Sequence, residues 1–357
     1  MHTKQEMIQM IQRFSNANGV SGFEDEVVSL AQEYCPSQFT FHEDHLRNVY
    51  LKEKIEKQGK PYILIDAHSD EVGFIIQAIK PNGTMTFLPL GGWVPDTMPA
   101  SKVRIKTMDG TYVSGIIAAK PPHFMKDREH PEALSSQEMV IDVGASSKQE
   151  VIERFHIGIG APVVPDVICE YDEEKDLFLG KAFDCRIGCA AVIETLARAF
   201  SNEMNIIGTL SSQEEVGERG MNLVTKTISA DIAICFEGCP ADDTFQEEWM
   251  IQTALRKGGM LRHFDRSMIT NPRFQRYALD LAKELNIPYQ ESVRSGGGTN
   301  GAMLHVSHNG IPTIVIGVPV RYIHSHHGFT TLEDFEHSVQ LASAIVSRMN
   351  QDILSRF

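Results

Sequence analysis

The sequence has no long apolar run and no excess of positive charge. No segment reaches the ~20 apolar residues that a membrane-spanning helix needs. The 33 Lys and Arg residues are outnumbered by 47 Asp and Glu, which gives a net charge of −14. Both features argue against a nucleic acid or an anionic membrane as a partner. Residues 1–14 form an amphipathic pattern without the apolar region of a signal peptide, so we expect a cytoplasmic protein.

Cysteines are few and show no disulfide framework. The chain has six, and two pairs of them, Cys185 with Cys189 and Cys235 with Cys239, are four residues apart. That spacing would also suit a zinc site with thiolate ligands. Buried free cysteines are ordinary in strands and helices. We therefore expect free thiols and keep the thiolate site as an alternative.

A turn-rich, β-type region interrupts an alternating pattern of strands and helices. Between Phe74 and about Val163, short apolar runs are separated by turn residues, and Asp109-Gly110 between 103–108 and 111–117 is a strong hairpin signal. This pattern predicts a small β-barrel or β-sandwich inserted into a second domain.

The remainder of the chain predicts an α/β catalytic domain. We expect a three-layer α/β/α fold with a mostly parallel sheet, formed by 1–72 and 164–357, with 73–163 as the inserted β-domain for oligomerisation. Ser21 and Glu24 suggest a capping box for one helix. Helices are predicted at 24–34, 146–155, 187–200, 274–285 and 332–349.

Two adjacent carboxylates follow a segment typical of a buried strand. Glu214 and Glu215 come shortly after Asn205–Ser211, and parallel strands deliver such residues to the sheet edge where α/β folds bind ligands. A divalent metal held by one carboxylate, with the other free to take a proton from water, would supply hydrolytic chemistry. On its own, an acidic pair is more typical of a solvated turn.

Other potential metal ligands follow apolar segments in the same way. His68 follows 62–67, Glu237 follows 232–236, His324 comes shortly after 312–317, and Asp184 stands just before a helical stretch. Imidazole and carboxylate ligands together are typical of a Zn²⁺-type site. Each residue alone has a simpler explanation, such as a helix cap for Asp184. Together they predict a paired metal centre at one sheet edge.

Four segments resemble the signature stretches of the tetrahedral (TET) aminopeptidases. This family of dinuclear metallopeptidases includes glutamyl, leucyl, lysyl and deblocking enzymes, and some members carry an endoglucanase label. The segments are AHSDEVG at 67–73, FDCRIG at 183–188, QEEVGERG at 213–220 and RYIHS at 321–325. The resemblance covers nearly the whole chain. It implies release of amino-terminal residues from short peptides by a homo-oligomer, a tetrahedral dodecamer as in the family.

The resemblance also implies a set of metal ligands. It makes Asp184 the bridge between two divalent ions in each subunit. Glu215 and His324 would complete the shell of one ion, and His68 and Glu237 that of the other. Zn²⁺ or Co²⁺ is the expected metal, with Mn²⁺ as an alternative.

Two further roles follow from the resemblance. Glu214 would be the general base that activates water. Asp70 would orient the imidazole of His68, because a carboxylate that accepts the second ring N–H of a ligand fixes its tautomer and raises its basicity.

The chain departs from the family pattern at two positions. Glu237 stands where aminopeptidases of this broader group often have Asp, and Asn300 stands where Asp is expected in many members. A third question concerns the ligand near residue 324. His324 is chosen by its position after Tyr322 and Ile323, but spacing alone does not exclude His326.

Three other functions fit parts of the pattern. The nearest is another metal-dependent amide hydrolase, a carboxypeptidase or deacylase, built on the same core. A cellulase would need two carboxylates without metal and leaves the histidines without a role. A non-catalytic assembly protein would be expected to lack the base Glu214.

Overall fold

The computed structural model describes residues 1–121, 123 and 135–357. None of the helices described there is both long and apolar enough to cross a membrane. The α-helices are α1 Lys4–Asn16, α2 Asp25–Glu33, α3 Lys148–Glu153, α4 Phe183–Arg198, α5 Arg219–Thr227, α6 Pro272–Glu284, α7 Gly301–His305, α8 Leu332–Arg348 and α9 Gln351–Leu354. The strands are β1 Phe39–Glu43, β2 Val49–Glu53, β3 Tyr62–His68, β4 Gly73–Ile79, β5 Met85–Leu90, β6 Lys102–Lys106, β7 Tyr112–Ala118, β8 Val140–Asp142, β9 Pro162–Pro165, β10 Glu170–Asp172, β11 Leu177–Gly180, β12 Asn205–Ser211, β13 Ile232–Pro240, β14 Gly259–Phe264, β15 Tyr289–Val293, β16 Thr313–Val320 and β17 Gly328–Thr330.

A mixed sheet lies at the centre of the larger unit. Its strand order among the described residues is β1-β2-β12-β3-β13-β16-β14-β15. The central strands β12, β3, β13 and β16 are parallel, whereas β2 and β14 run antiparallel to their inner neighbours. The carboxyl ends of the central strands therefore meet at one edge, which is where open α/β sheets bind ligands.

Side chains alternate between two apolar layers along each central strand. In β3, Ile63 and Ile65 pack with α1, α4 and α8, while Leu64 faces the opposite layer with α5 and α7. Because both faces are covered, these strands are apolar along most of their length rather than alternating with polar residues. The predicted three-layer α/β fold is confirmed.

The inserted region forms a closed antiparallel barrel. In the described part of the insertion, β4, β5, β8, β7, β6 and β9 close on one another around a core that includes Phe74 and Ile105. The predicted hairpin is present, with Lys106 opposite Tyr112. The barrel strands span residues 73–165. The division at 73–163 stays a prediction, and residues 122 and 124–134 of it lie outside the described residues.

Local capping signals were less reliable than the strand patterns. The predicted capping box at Ser21 is wrong, because Glu24 occupies the cap position without a side-chain cap bond and the Ser21 hydroxyl bonds Asp70 instead. A capping box does occur at α1, where Thr3 and Glu6 bond one another's backbone. The helix predicted at 146–155 is limited to Lys148–Glu153.

Candidate active site

The strand register brings three of the predicted site segments together. Ser211 of β12 pairs with His68 at the end of β3, so Glu214 and Glu215 emerge beside His68. Glu237 lies in β13, two residues beyond Cys235, which pairs with Asp66 of β3. This convergence depends on parallel neighbours in register.

Asp184 lies between the two histidines. Its Oδ1 is 3.2 Å from Nε2 of His68, and its Oδ2 is 3.4 Å from Nε2 of His324. Asp184 comes from the first turn of α4, and His324 from the connection between β16 and β17. One carboxylate with each oxygen facing a different imidazole is suited to bridging two cations.

Two more carboxylates complete two donor clusters. Glu237 Oε2 lies 3.6 Å from Nε2 of His68, and Glu215 Oε1 lies 3.5 Å from Nε2 of His324. Donor atoms of His68, Asp184 and Glu237 lie within 4.8 Å of one another, as do those of Asp184, Glu215 and His324.

The donor atoms fit divalent ions. Glu215 Oε1 and Glu237 Oε1 are buried and have no hydrogen-bond partner among the described residues. Buried polar atoms are normally satisfied, and clustered buried carboxylates are costly without a counter-ion. The oxygen and imidazole donors are those that Zn²⁺ and Co²⁺ accept.

The pKa shifts within the cluster also favour a bound cation. Burial raises the pKa of Glu215 to about 8 and that of Glu237 well above its usual range. Burial would lower the pKa of His324, but hydrogen bonding to Asp184 and the charge of Glu215 raise it to about 9. A cation bound by these donors would compete with protons, so its affinity would fall as the pH is lowered.

Glu214 lies beside two of the predicted ligands. Its carboxylate belongs to a cluster with His68 and Glu215 and lines the cavity above them. Burial and the neighbouring carboxylates raise the pKa of Glu214 to about 8 despite the opposing charge of His68. A base with a pKa near the working pH transfers protons effectively.

Asp70 supports both His68 and the glutamate segment. Its Oδ1 lies 3.3 Å from Nδ1 of His68. The same carboxylate accepts the backbone N–H groups of Glu214 and Glu215, at 2.9 and 3.1 Å. Burial raises the pKa of Asp70, but the neighbouring imidazole of His68 outweighs it and keeps the pKa below its usual value. The geometry fits the predicted orienting role.

A cavity of about 570 Å³ opens above the cluster. The glycine-rich segment at 296–299 forms part of its wall between β15 and α7. Arg262, which sequence reasoning missed, also lines it. The side chain of Arg262 is 6% exposed, its Nη1 donates to Asp265 Oδ2 at 3.0 Å, and its Nε has no partner among the described residues. The signal that could have identified it is a single Arg within the otherwise largely apolar segment GMLRHF.

The barrel contributes directly to the site. A Cβ on Gly92 would lie 3.1 Å from Nδ1 of His324, and one on Gly91 would lie 3.1 Å from Oε2 of Glu215. Gly91 also has a φ of 81°, which side chains rarely adopt. The loop after β5 therefore packs against two predicted ligands. This loop therefore shapes the candidate site, independently of any role of the inserted region in assembly.

The structure distinguishes His324 from His326. Both ring nitrogens of His326 are buried and have no hydrogen-bond partner among the described residues. The centroid of its ring lies 5.3 Å from that of the Trp93 ring. Burial lowers the pKa of His326 to about 4, so the ring is neutral. His324, not His326, lies in the donor cluster.

The cysteines do not favour a thiolate site. All six are free. The thiol of Cys185 lies within 4.8 Å of donor atoms of His68, Asp184 and Glu237. It donates to the carbonyl of Phe236, however, and the thiol of Cys189 donates to the carbonyl of His68. Burial raises the pKa of Cys185 well above its usual value and that of Cys189 to about 12, which disfavours the thiolate that a metal needs.

The hydrogen bonds of Asn300 explain why an amide, and not a carboxylate, suits this position. Its Nδ2 donates to Asp66 Oδ2 at 2.8 Å and to Ser211 Oγ at 2.7 Å. Both Asp66 and Asn300 are buried beneath the site. An Asp at 300 would set two buried carboxylates against each other, so the amide suits the presence of Asp66.

The family is decided by a match that covers most of the chain. Residues 48–341 match the M42 glutamyl aminopeptidase family. The chain belongs to that family. Related curated proteins include the putative aminopeptidase FrvX of Escherichia coli, at 30% identity and 98% of both chains, and the glutamyl aminopeptidase of Lactococcus lactis, at 28% identity and 97% of this chain and 98% of the relative. The lysyl aminopeptidase of Pyrococcus furiosus is 27% identical over 96% of this chain and 97% of its own length.

Solved structures agree with this M42 assignment. A TET aminopeptidase from a marine sediment Thaumarchaeota archaeon has a TM-score of 0.93 and 33% identity, with 98% of this chain and 99% of that chain covered. The dodecamer structure of PhTET1-12s has a TM-score of 0.84 and 25% identity, with 96% and 99% covered. The M42 chain is therefore a metal-dependent aminopeptidase at the level of its family.

Proposed function

We propose that the chain uses two divalent ions and the base Glu214 to release amino-terminal residues from short peptides. The observation that carries this proposal is the position of Asp184 between His68 and His324, with one oxygen toward each ring. His68 and Glu237 would hold one ion with Asp184, and Glu215 and His324 the other. Two Zn²⁺ or Co²⁺ ions, or Mn²⁺ in their place, would polarise the scissile carbonyl and make water more acidic.

In this proposal Glu214 transfers the proton. Its carboxylate accepts a proton from the attacking water and returns it to the departing amine, as a general base that becomes a general acid. Asp70 keeps the imidazole of His68 oriented and fixes the backbone of Glu214 and Glu215.

An amino-peptidase differs from the related amide hydrolases by its substrates. A panel of amino-acid p-nitroanilides, carboxyl-terminal peptides and N-acyl amino acids separates the three classes. We expect hydrolysis of free-amine p-nitroanilides alone. Comparable rates on N-acyl or carboxyl-terminal substrates would favour the deacylase or carboxypeptidase alternative.

We further propose that the released residue carries a side-chain carboxylate. The relatives include both a glutamyl and a lysyl aminopeptidase, so their names do not indicate which residue this chain prefers. The side chains that line the cavity are the remaining guide to that preference. Arg262 is a cation in the cavity wall, and its Nη1 donates to Asp265. The guanidinium of Arg294 is more fully used, because it donates to Asp242, Thr253 and the carbonyl of Pro240. The positive charge of Arg262 would attract a side-chain carboxylate that enters the cavity.

Replacing Arg262 with Met tests this preference. The wild type is expected to have a higher kcat/KM for glutamyl than for leucyl or lysyl p-nitroanilide. Arg262→Met should lower the glutamyl value by ~10–100-fold, the worth of a hydrogen bond to a charged group. The leucyl value serves as the control and should change little. A wild type that prefers the lysyl substrate would contradict the proposal.

We also propose that the chain forms a homo-oligomer through the barrel, a dodecamer as in PhTET1-12s. Leu88 and Val94, on either side of the loop that packs against the ligands, are 47% and 57% exposed. Apolar side chains exposed in this way favour an interface. A closed shell would also admit only short or unfolded peptides.

Light scattering at micromolar concentration, with metal present, measures the assembly. We expect a mass many times that of the 39.9 kDa chain. A monomer would refute the oligomer. A stable dimer would refute only the dodecamer.

A further inference from the structure

The connection between α1 and α2 is attached to the catalytic segments. The Ser21 hydroxyl donates to Asp70 Oδ2 at 2.6 Å, and Val20 forms a β-bridge with Glu71. Glu24, at the start of α2, accepts the backbone N–H groups of Gly22 and Gln213 on its Oε1, at 2.8 and 3.2 Å. A residue far away in sequence thus contacts the residue that precedes Glu214.

The backbone at Gln213 needs such support. Gln213 has a φ of 55°, in the left-handed region that residues other than glycine rarely adopt. Such backbone persists when surrounding contacts hold it. Three consecutive amides are held here: Glu24 binds that of Gln213, and Asp70 binds those of Glu214 and Glu215.

The other contacts of Glu24 do not explain its burial. The side chain is 0% exposed, yet it makes no capping bond to α2. Its Oε2 has no hydrogen-bond partner among the described residues. Burying a carboxylate is costly unless it is hydrogen-bonded, so the amides of Gly22 and Gln213 are the contacts that hold it in place.

We propose that Glu24 is a positioning residue for Glu214, because its bond to the Gln213 amide fixes the left-handed turn that directs the Glu214 carboxylate into the cluster. The inference rests on the proposed function, in which Glu214 is the base. Glu24 does not touch the substrate in this account. It acts through the backbone of one neighbouring residue.

Replacing Glu24 with Ala removes the acceptor. We expect kcat to fall by up to about 10²-fold, as small misplacements of a catalytic group do, with KM and metal content close to those of the wild type. Glu24→Gln keeps an oxygen that can accept from Gln213 and should restore kcat to within a few-fold of the wild type. Circular dichroism and light scattering would establish that each variant is folded and assembled.

Glu26→Ala is the matched control. Glu26 lies on the same helix and binds the backbone and side chain of Asn18, so its loss loosens the same connection without touching residue 213. We expect kcat to be retained. If Glu24→Ala is poorly folded, Glu24→Asp replaces it, because its shorter side chain draws the carboxylate away from Gln213.

Three outcomes would overturn the proposal. They are an unchanged kcat in folded Glu24→Ala, an equal loss in Glu26→Ala, or a Glu24→Gln variant as impaired as the Ala variant. Failure of the proposed function is distinguishable, because it would appear as a wild type without aminopeptidase activity or an active Glu214→Gln variant. An active wild type, an inactive Glu214→Gln and a normal Glu24→Ala would refute this inference alone.

Discussion

Replacing Glu214 with Gln is expected to lower kcat by ~10²–10⁴-fold, the usual worth of a positioned acid–base group. The substitution keeps the size of the side chain but removes its ability to accept a proton. Both metal ions should remain bound, because neither of the two donor clusters that contain Asp184 includes Glu214. Stopped assays with a p-nitroanilide, together with elemental analysis, would measure both quantities.

A carboxylate in the same cavity provides the control. Glu218 lines the cavity but belongs to none of the donor clusters among the described residues. Glu218→Gln should therefore keep a turnover much closer to that of the wild type. Near-normal turnover in Glu214→Gln would assign the base to another residue.

Replacing Asp184 with Ala is expected to remove metal as well as activity. Its two oxygens face His68 and His324, so one substitution weakens both ion sites. The loss of metal affinity should exceed the ~10–100-fold that removal of a supporting residue costs. Metal titration followed by elemental analysis would measure it.

Asp70→Asn gives the comparison for that experiment. Asp70 lies beside the imidazole of His68 but belongs to none of the donor clusters among the described residues, so its loss should lower metal affinity or activity by ~10–100-fold. If Asp184→Ala bound two ions per chain with unchanged affinity, the bridging role would be wrong.

The sequence predicted the parts of the site that depend on local patterns. Asn205–Ser211 is a strand with the predicted bounds, and the residues after β3 and β12 converge because parallel strands place their carboxyl ends together. The likeness to known signature segments assigned roles that spacing left open, such as His324 over His326.

What the sequence could not predict comes from long-range packing. The contact of Gly92 with His324 and that of Glu24 with Gln213 join segments far apart in the chain. Nothing in the residues near Glu24 indicates that its side chain is buried. The spacing of Ser21 and Glu24 suggested a helix cap instead. Arg262 was missed for a similar reason, because its role depends on the cavity formed by other segments.

The number of metal ions needed for activity tests the central claim most directly. The protein would be stripped by exhaustive chelation, titrated with Zn²⁺ or Co²⁺, and assayed on an amino-acid p-nitroanilide while bound metal is counted by elemental analysis. We predict that the stripped protein is inactive and that activity returns as the content rises to two ions per chain. Full aminopeptidase activity in protein shown to be free of metal would contradict the account.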